Sequence, residues 1–190
     1  MAADVLVLGH GIAGAVVAWT LAEAGLSVRV ADGGSVASAS RAGAGLINPV
    51  TGRRWVPSWR IETALPVAKR VYGAMAAAWK VPLWHDMRVH RRYADEAERV
   101  IARERWARVE FAPYGESIDD EGGWFSGAAR VDVAALLSAS ERHWRERGAW
   151  WDEDLTLATA LQRAGRVLDC RGLAAARDPW WDFLAWRFVA

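Results

Sequence analysis

Gly9, Gly11 and Gly14 are the residues whose spacing most directly implies chemistry. The run Gly9-His10-Gly11-Ile12-Ala13-Gly14 follows the apolar tetrapeptide Val5-Leu6-Val7-Leu8 and precedes a stretch of helical periodicity. Three glycines at this spacing carry little information alone, but here they sit between a strand and a helix. Gly9 permits a tight turn, Gly11 has no Cβ to block a pyrophosphate, and Gly14 lets helix and strand pack closely. The helix N-terminus then offers unpaired N–H groups and partial positive charge to the phosphates, to which Ile12 and Ala13 contribute backbone. Asp32 ends the next strand, close to the spacing of roughly 20 residues expected for an acid that accepts hydrogen bonds from a ribose. A carboxylate there repels a ribose phosphate, which disfavours NADP and leaves NAD and FAD open.

Positioning these residues requires a βαβ unit. Val5–Leu8 has the continuous apolar character of a strand buried on both faces of a parallel sheet. From Ile12 to Ala24 the pattern is helical, with Gly25 as a stop, and Ser27 to Asp32 alternates Val28 and Val30 as a second strand. Gly33 to Gly45 is almost wholly Gly, Ala and Ser and reads as a loop that something can approach closely. Beyond it the spacing predicts a helix over Ile61 to Lys80 that Pro66 and Gly73 could kink, an extended segment over Val81 to Tyr93, and an amphipathic helix over Ala94 to Trp106. Phe111 to Phe125 is marked by the turn formers Pro113, Gly115, Gly122 and Gly123. Asp132 is placed to cap a helix running to about Arg147, and Val167-Leu168-Asp169-Cys170 is a last strand stopping at Gly172. The order βαβ, insertion, then αβ and β predicts a dinucleotide-binding domain over 1–80 and 131–190, interrupted by a second region over 81–130.

The segment Ser38-Ala39-Ser40-Arg41-Ala42-Gly43-Ala44-Gly45-Leu46-Ile47-Asn48-Pro49 separates FAD from NAD. With the FAD-type fingerprint that continues through Ala18, Leu21, Gly25 and Val28, the Ser-rich run ending Ala44-Gly45-Leu46 with Pro49 resembles the D-amino-acid oxidase and glycine oxidase family. The resemblance implies an α/β fold: an FAD/NAD(P)-binding Rossmann-like domain with an inserted, incomplete α+β substrate domain. It assigns Ser38, Ser40, Ala44, Gly45 and Leu46 to the cofactor, and Gly172 to the turn that returns to it. It further implies FAD as cofactor, an amine or amino acid as small-molecule substrate, and hydride transfer from the substrate carbon to flavin N5. Family members continue well past the position of Ala190, and by resemblance the arginine for a substrate carboxylate lies in that part. The expectation is therefore an N-terminal portion that needs its C-terminal half or a partner chain and binds FAD weakly or not at all alone. A non-catalytic nucleotide-binding module and an NAD-dependent dehydrogenase remain as alternatives.

Composition narrows the partners. With 190 residues and a net charge of +1, there is no long-range field to recruit nucleic acid or an anionic membrane. All but two of the 24 basic residues are arginine, which with 13 tryptophans reflects coding bias rather than function. Cys170 is the single cysteine, so no internal disulfide or multi-cysteine metal site can form, and a cytoplasmic location is the expectation. The apolar run Val5 to Ala24 is flanked by Asp4 and Glu23 and broken by glycines, unlike a signal peptide or a membrane span.

The remaining candidates have ordinary readings. His10 occupies a variable position of the glycine turn and is read as incidental. His85, His90 and His143 lack metal-like spacing, so no metal site is expected. Arg88, Arg91 and Arg92 read as a solvated strand face, and Cys170 as an inert thiol ending a buried strand. Trp55 and Trp59 with Arg53, Arg54 and Arg60 form an aromatic and basic patch, read by default as packed tryptophans and exposed arginines.

Overall fold

Hydrophobic residues recur along this chain in two arrangements, and each builds a separate sheet. A computed structural model describes residues 3–34 and 38–184. In chain order the elements are β1 (Val5–Leu8), α1 (Ile12–Glu23), β2 (Val28–Ala31), α2 (Ala39–Ala42), β3 (Leu46–Ile47), β4 (Val50–Thr51), β5 (Val56–Pro57) and α3 (Ile61–Trp79). There follow β6 (Trp84–Arg92), α4 (Glu96–Trp106), β7 (Gly115–Ile118), β8 (Gly122–Val131), α5 (Val133–Glu146), β9 (Trp150–Trp151), α6 (Leu157–Arg163) and β10 (Val167–Asp169). The chain divides into two units, Met1–Gly43 with Val133–Ala190, and Ala44–Asp132.

The first unit is a parallel four-stranded sheet in the order β10-β1-β2-β9. Leu6 lies opposite Val167 on one side and Arg29 on the other, so β1 is central. Side chains alternate across its pleat. Leu6 and Leu8 point to a cluster with Ala31, Leu155, Leu157 and Ala160, while Val5 and Val7 meet Ala18, Val28, Val30 and Trp144. Each fully buried aliphatic contributes about 1.5–3 kcal/mol, so both faces of β1 are held. This is the Rossmann-like α/β arrangement expected from the sequence.

The second unit is α+β. Its antiparallel sheet runs β3-β8-β6, with β7 also paired to β8, and β4 and β5 form a separate ribbon. Trp55, Phe111, Phe125, Val50 and Ala102 form its buried aromatic core. Glu98 is buried on α4 and accepts hydrogen bonds from Trp55 Nε1 (2.8 Å), Arg91 Nη2 (2.6 Å) and the Ala94 N–H (2.8 Å). Burial pushes the Glu98 carboxyl up, but these donors outweigh it and hold its pKa below the usual value. Arg91 also lies over the Trp55 ring, 4.4 Å from its centroid.

Two expectations need correction. The unit boundary falls after Gly43 rather than after residue 80, so the long helix α3 belongs to the inserted unit. The helix itself, expected over Ile61 to Lys80, is present as Ile61–Trp79 with Pro66 inside it. The region marked by turn formers holds β7 and the start of the ten-residue strand β8, the centre of the second sheet. Its glycines answer to packing: a Cβ on Gly122 would overlap the Arg91 carbonyl, and one on Gly123 would lie 2.9 Å from Trp106 and 3.0 Å from Trp55. Within the loop from Gly33 to Gly45, the short helix α2 forms with Ser38 as its N-cap, while residues 35–37 lie outside the described residues.

Candidate nucleotide site at the first strand-to-helix turn

The glycine turn joins β1 to α1 as the spacing requires. Gly9 has φ +85°, a conformation that favours glycine, and its N–H donates to the Ala31 carbonyl of β2 at 2.8 Å. A Cβ there would also sit 2.7 Å from Arg171 Cα. Gly14 is buried, and a Cβ on it would overlap the Gly9 carbonyl oxygen, so the third glycine is what allows helix and turn to touch. Gly11 is the N-cap residue of α1, with no side-chain cap and no acidic residue in the first helical turn. The helix end therefore keeps its partial positive charge. Ala13 is exposed while Ile12 and Gly11 are half-buried, which leaves the Ala13 end of this backbone accessible to an anion.

Asp32 lies at the end of β2 beside this turn. Its Oδ2 accepts the His10 N–H at 2.6 Å and its Oδ1 accepts the Gly34 N–H at 2.7 Å. Each carboxylate oxygen has a further lone pair, so the group can still accept hydroxyls of a ribose. Ser40 comes to the same place from α2: its Oγ accepts the Ile12 N–H at 3.0 Å and lies 2.9 Å from where a Gly11 Cβ would be. Ser38 caps α2, accepting the Arg41 N–H at 3.2 Å. Gly172, at φ +59°, follows Arg171, the residue that backs Gly9. The first unit thus brings Gly9, Gly11, Ile12, Ala13, Gly14, Asp32 and Ser40 together.

Ala44, Gly45 and Leu46 belong to the second unit. Gly45 has φ +68° and its carbonyl accepts the Val131 N–H at 2.9 Å, while Leu46 pairs with Arg130 and is 51% exposed. Trp55 is fully buried and Trp59 is 85% exposed, so the aromatic and basic patch is divided between core and surface. Arg88 and Arg92 make exposed ion pairs with Glu116 and Glu121, whereas Arg91 is drawn into the core by Glu98. Burial raises the pKa of the Cys170 thiol, with Asp169 adding to the effect. Among the described residues no group of three or more His, Cys, Asp or Glu side chains could hold a metal ion. None of their helices is long and apolar enough to cross a membrane.

Two features were not legible in the motif. His10, read as incidental, is only 5% exposed: its Nε2 lies 2.8 Å from Ser140 Oγ on α5 and its ring meets Trp150 edge-on at 4.8 Å. Behind the turn, Arg171 forks onto Asp169 (2.6 and 2.9 Å) and reaches Asp178 (3.1 Å) and the Leu155 carbonyl (3.1 Å). Trp181 Nε1 also donates to Asp169, at 2.9 Å. Only the pair Asp169 and Arg171, one residue apart at a strand end, hinted at this network.

Burial lowers the His10 pKa to about 4 against the opposing pull of Asp32 and Glu141, with Arg41 adding to the depression. The unfolded chain takes up this proton near pH 6.5 and the folded chain only near pH 4, so stability falls as pH drops through that window. The loss is at most about 3 kcal/mol, complete below the folded value and absent above the unfolded one. Urea unfolding from pH 7 to pH 4 should show this decline, and His10→Gln should remove its histidine component; an unchanged slope in that variant contradicts the assignment.

No protein-family model matches the sequence, and no curated protein does. Among solved structures, glycine oxidase from Bacillus cereus ATCC 14579 superposes with a TM-score of 0.58 at 21% identity, covering 80% of this chain and 47% of that one. The fold is shared with that oxidase. Glycine oxidase from Geobacillus kaustophilus gives a TM-score of 0.57 at 15% identity over 88% of this chain and 46% of its own. L-Amino acid deaminase from Proteus myxofaciens gives 0.57 at 18% identity over 79% and 38%. The chain thus spans less than half the length of each of these structures.

Proposed function

We propose that this chain is the dinucleotide-binding part of an FAD-dependent oxidoreductase acting on an amine or amino acid. The observation that carries the reading is the β1–α1 turn closed onto Asp32, in a fold shared with glycine oxidase. The residues fit the cofactor. Gly9, Gly11 and Gly14 keep the turn free of their own side chains, and the Ala13 N–H with the α1 terminus suits a pyrophosphate, beside the Ile12 N–H that Ser40 Oγ accepts. Asp32 would hold the adenosine ribose, and the Ser38 and Ser40 hydroxyls would line the phosphates and ribityl chain. Gly172 is proposed to approach the cofactor from the first unit, and for Ala44, Gly45 and Leu46 a flavin contact is proposed from the sequence resemblance alone. When bound, FAD supplies the acceptor, at N5, for a hydride from the substrate carbon. The chain's own part is to bind, orient and exclude water. A complete substrate pocket is proposed to need further polypeptide, either a continuation or a partner chain.

Titrating the purified protein with FAD and with NAD tests this reading. Weak uptake of FAD by the chain alone, with a flavin absorption band, is expected, and Asp32→Ala should weaken it about tenfold or more, since a hydrogen bond to a charged group contributes about 1.5–3 kcal/mol. A colourless protein that takes up NAD but not FAD overturns it in favour of a dehydrogenase. A stable, flavin-free stoichiometric complex with another chain on size exclusion instead favours a non-catalytic module.

A further inference from the structure

His10 is the one side chain of the glycine turn that points inward, and it reaches segments that enter the sequence only after the inserted unit. Its imidazole is fixed at two points: Nε2 to Ser140 Oγ on α5 at 2.8 Å, and the ring edge-on to Trp150 of β9 at 4.8 Å. Ser140 is itself fully buried. The main chain of the same residue donates to Asp32 Oδ2 at 2.6 Å, and the next residue is the N-cap of α1. One residue therefore ties three parts of the site: the ribose acid, the helix terminus and the returning segment of the first unit.

The geometry points to His10 as a positioning residue for the dinucleotide, its contacts with Ser140 and Trp150 holding the turn so that the Gly11–Ala13 backbone and Asp32 face one ligand together. This rests on the reading of the turn as a dinucleotide site. The physical reason is preorganisation: a turn already fixed by buried contacts loses less conformational freedom when a ligand binds. The side chain is engaged by Ser140 and Trp150. It acts through the backbone of its own turn, and a small residue at this position would leave the turn to be ordered by the ligand itself.

The test uses the full chain and four variants, His10→Ala, Ser140→Ala, the double variant of these two and His10→Gln, with FAD affinity and the thermal midpoint measured on each. His10→Ala is expected to weaken FAD about tenfold and Ser140→Ala about threefold, the range spanned by losing one buried hydrogen bond or that bond plus packing. The double variant should lose no more than His10→Ala alone, because both changes remove one interaction. His10→Gln, whose amide can reach Ser140, should recover affinity to within about threefold of the parent. A merely structural role lowers the midpoint and leaves FAD affinity within about twofold of the parent, and that result overturns the inference. If His10→Ala does not fold, Ser140→Ala decides it by the same criteria. If the parent itself takes up no FAD, the proposed function fails separately. Hydrogen exchange of the Gly11 to Ala13 amides then decides, with parental exchange in Ser140→Ala overturning the positioning role.

Discussion

Replacing Gly14 by alanine is expected to lower stability by about 3 kcal/mol or more, and the thermal midpoint by roughly 6–12 °C. The methyl group would overlap the Gly9 carbonyl oxygen, which is main chain and cannot swing aside. Gly9 has no freedom to yield either, since Arg171 backs it and its N–H is bonded to Ala31. Either α1 lifts off the turn or β1 shifts, and both loosen the core beneath Val5 and Val7. Gly25→Ala is the control: its φ is equally positive at +85° but nothing lies near its Cβ, so the cost is only backbone strain of about 1 kcal/mol. Calorimetry on the two variants checks the claim, and equal midpoints would show that the close approach at Gly14 is not what fixes the turn.

Glu98→Ala is expected to destabilise the chain by about 3–5 kcal/mol, because it leaves the Arg91 guanidinium buried without its carboxylate. The loss reaches beyond one ion pair. Trp55 Nε1 and the Ala94 N–H lose their acceptor at the same time, and Arg91 Nη1 already has no hydrogen-bond partner. Urea unfolding of this variant beside Arg163→Ala, which breaks the exposed pair with Glu153, separates buried from surface electrostatics. Similar midpoints for the two would contradict the assignment of Glu98 as the polar centre of the second unit.

The first unit was legible in the sequence because its signals are local. β1 is four apolar residues buried on both faces, α1 begins at a glycine N-cap, and Asp32 directly follows β2 at the expected spacing. β8 escaped the same reasoning because its glycines resemble turn formers, whereas their neighbours, Arg91 carbonyl, Trp55 and Trp106, are distant in sequence. The unit boundary was misplaced for a related reason: α3 is an ordinary helix by composition, and nothing in its residues states which sheet it serves. His10 illustrates the limit at the site itself. A histidine between two glycines carries no mark of burial, and its environment is supplied by Ser140 and Trp150, far along the sequence.

That same long separation governs how the site comes into being. β1 leaves the ribosome early, yet its parallel partner β10, the Arg171 backing of Gly9 and the Ser140 contact of His10 all arrive after the inserted unit has been made. Parallel pairings of such sequence separation form slowly, since the intervening chain must be closed into a loop before any contact repays it. During synthesis Val5–Leu8 is thus an apolar segment waiting for part of its cover, and exposed apolar surface of this kind favours aggregation.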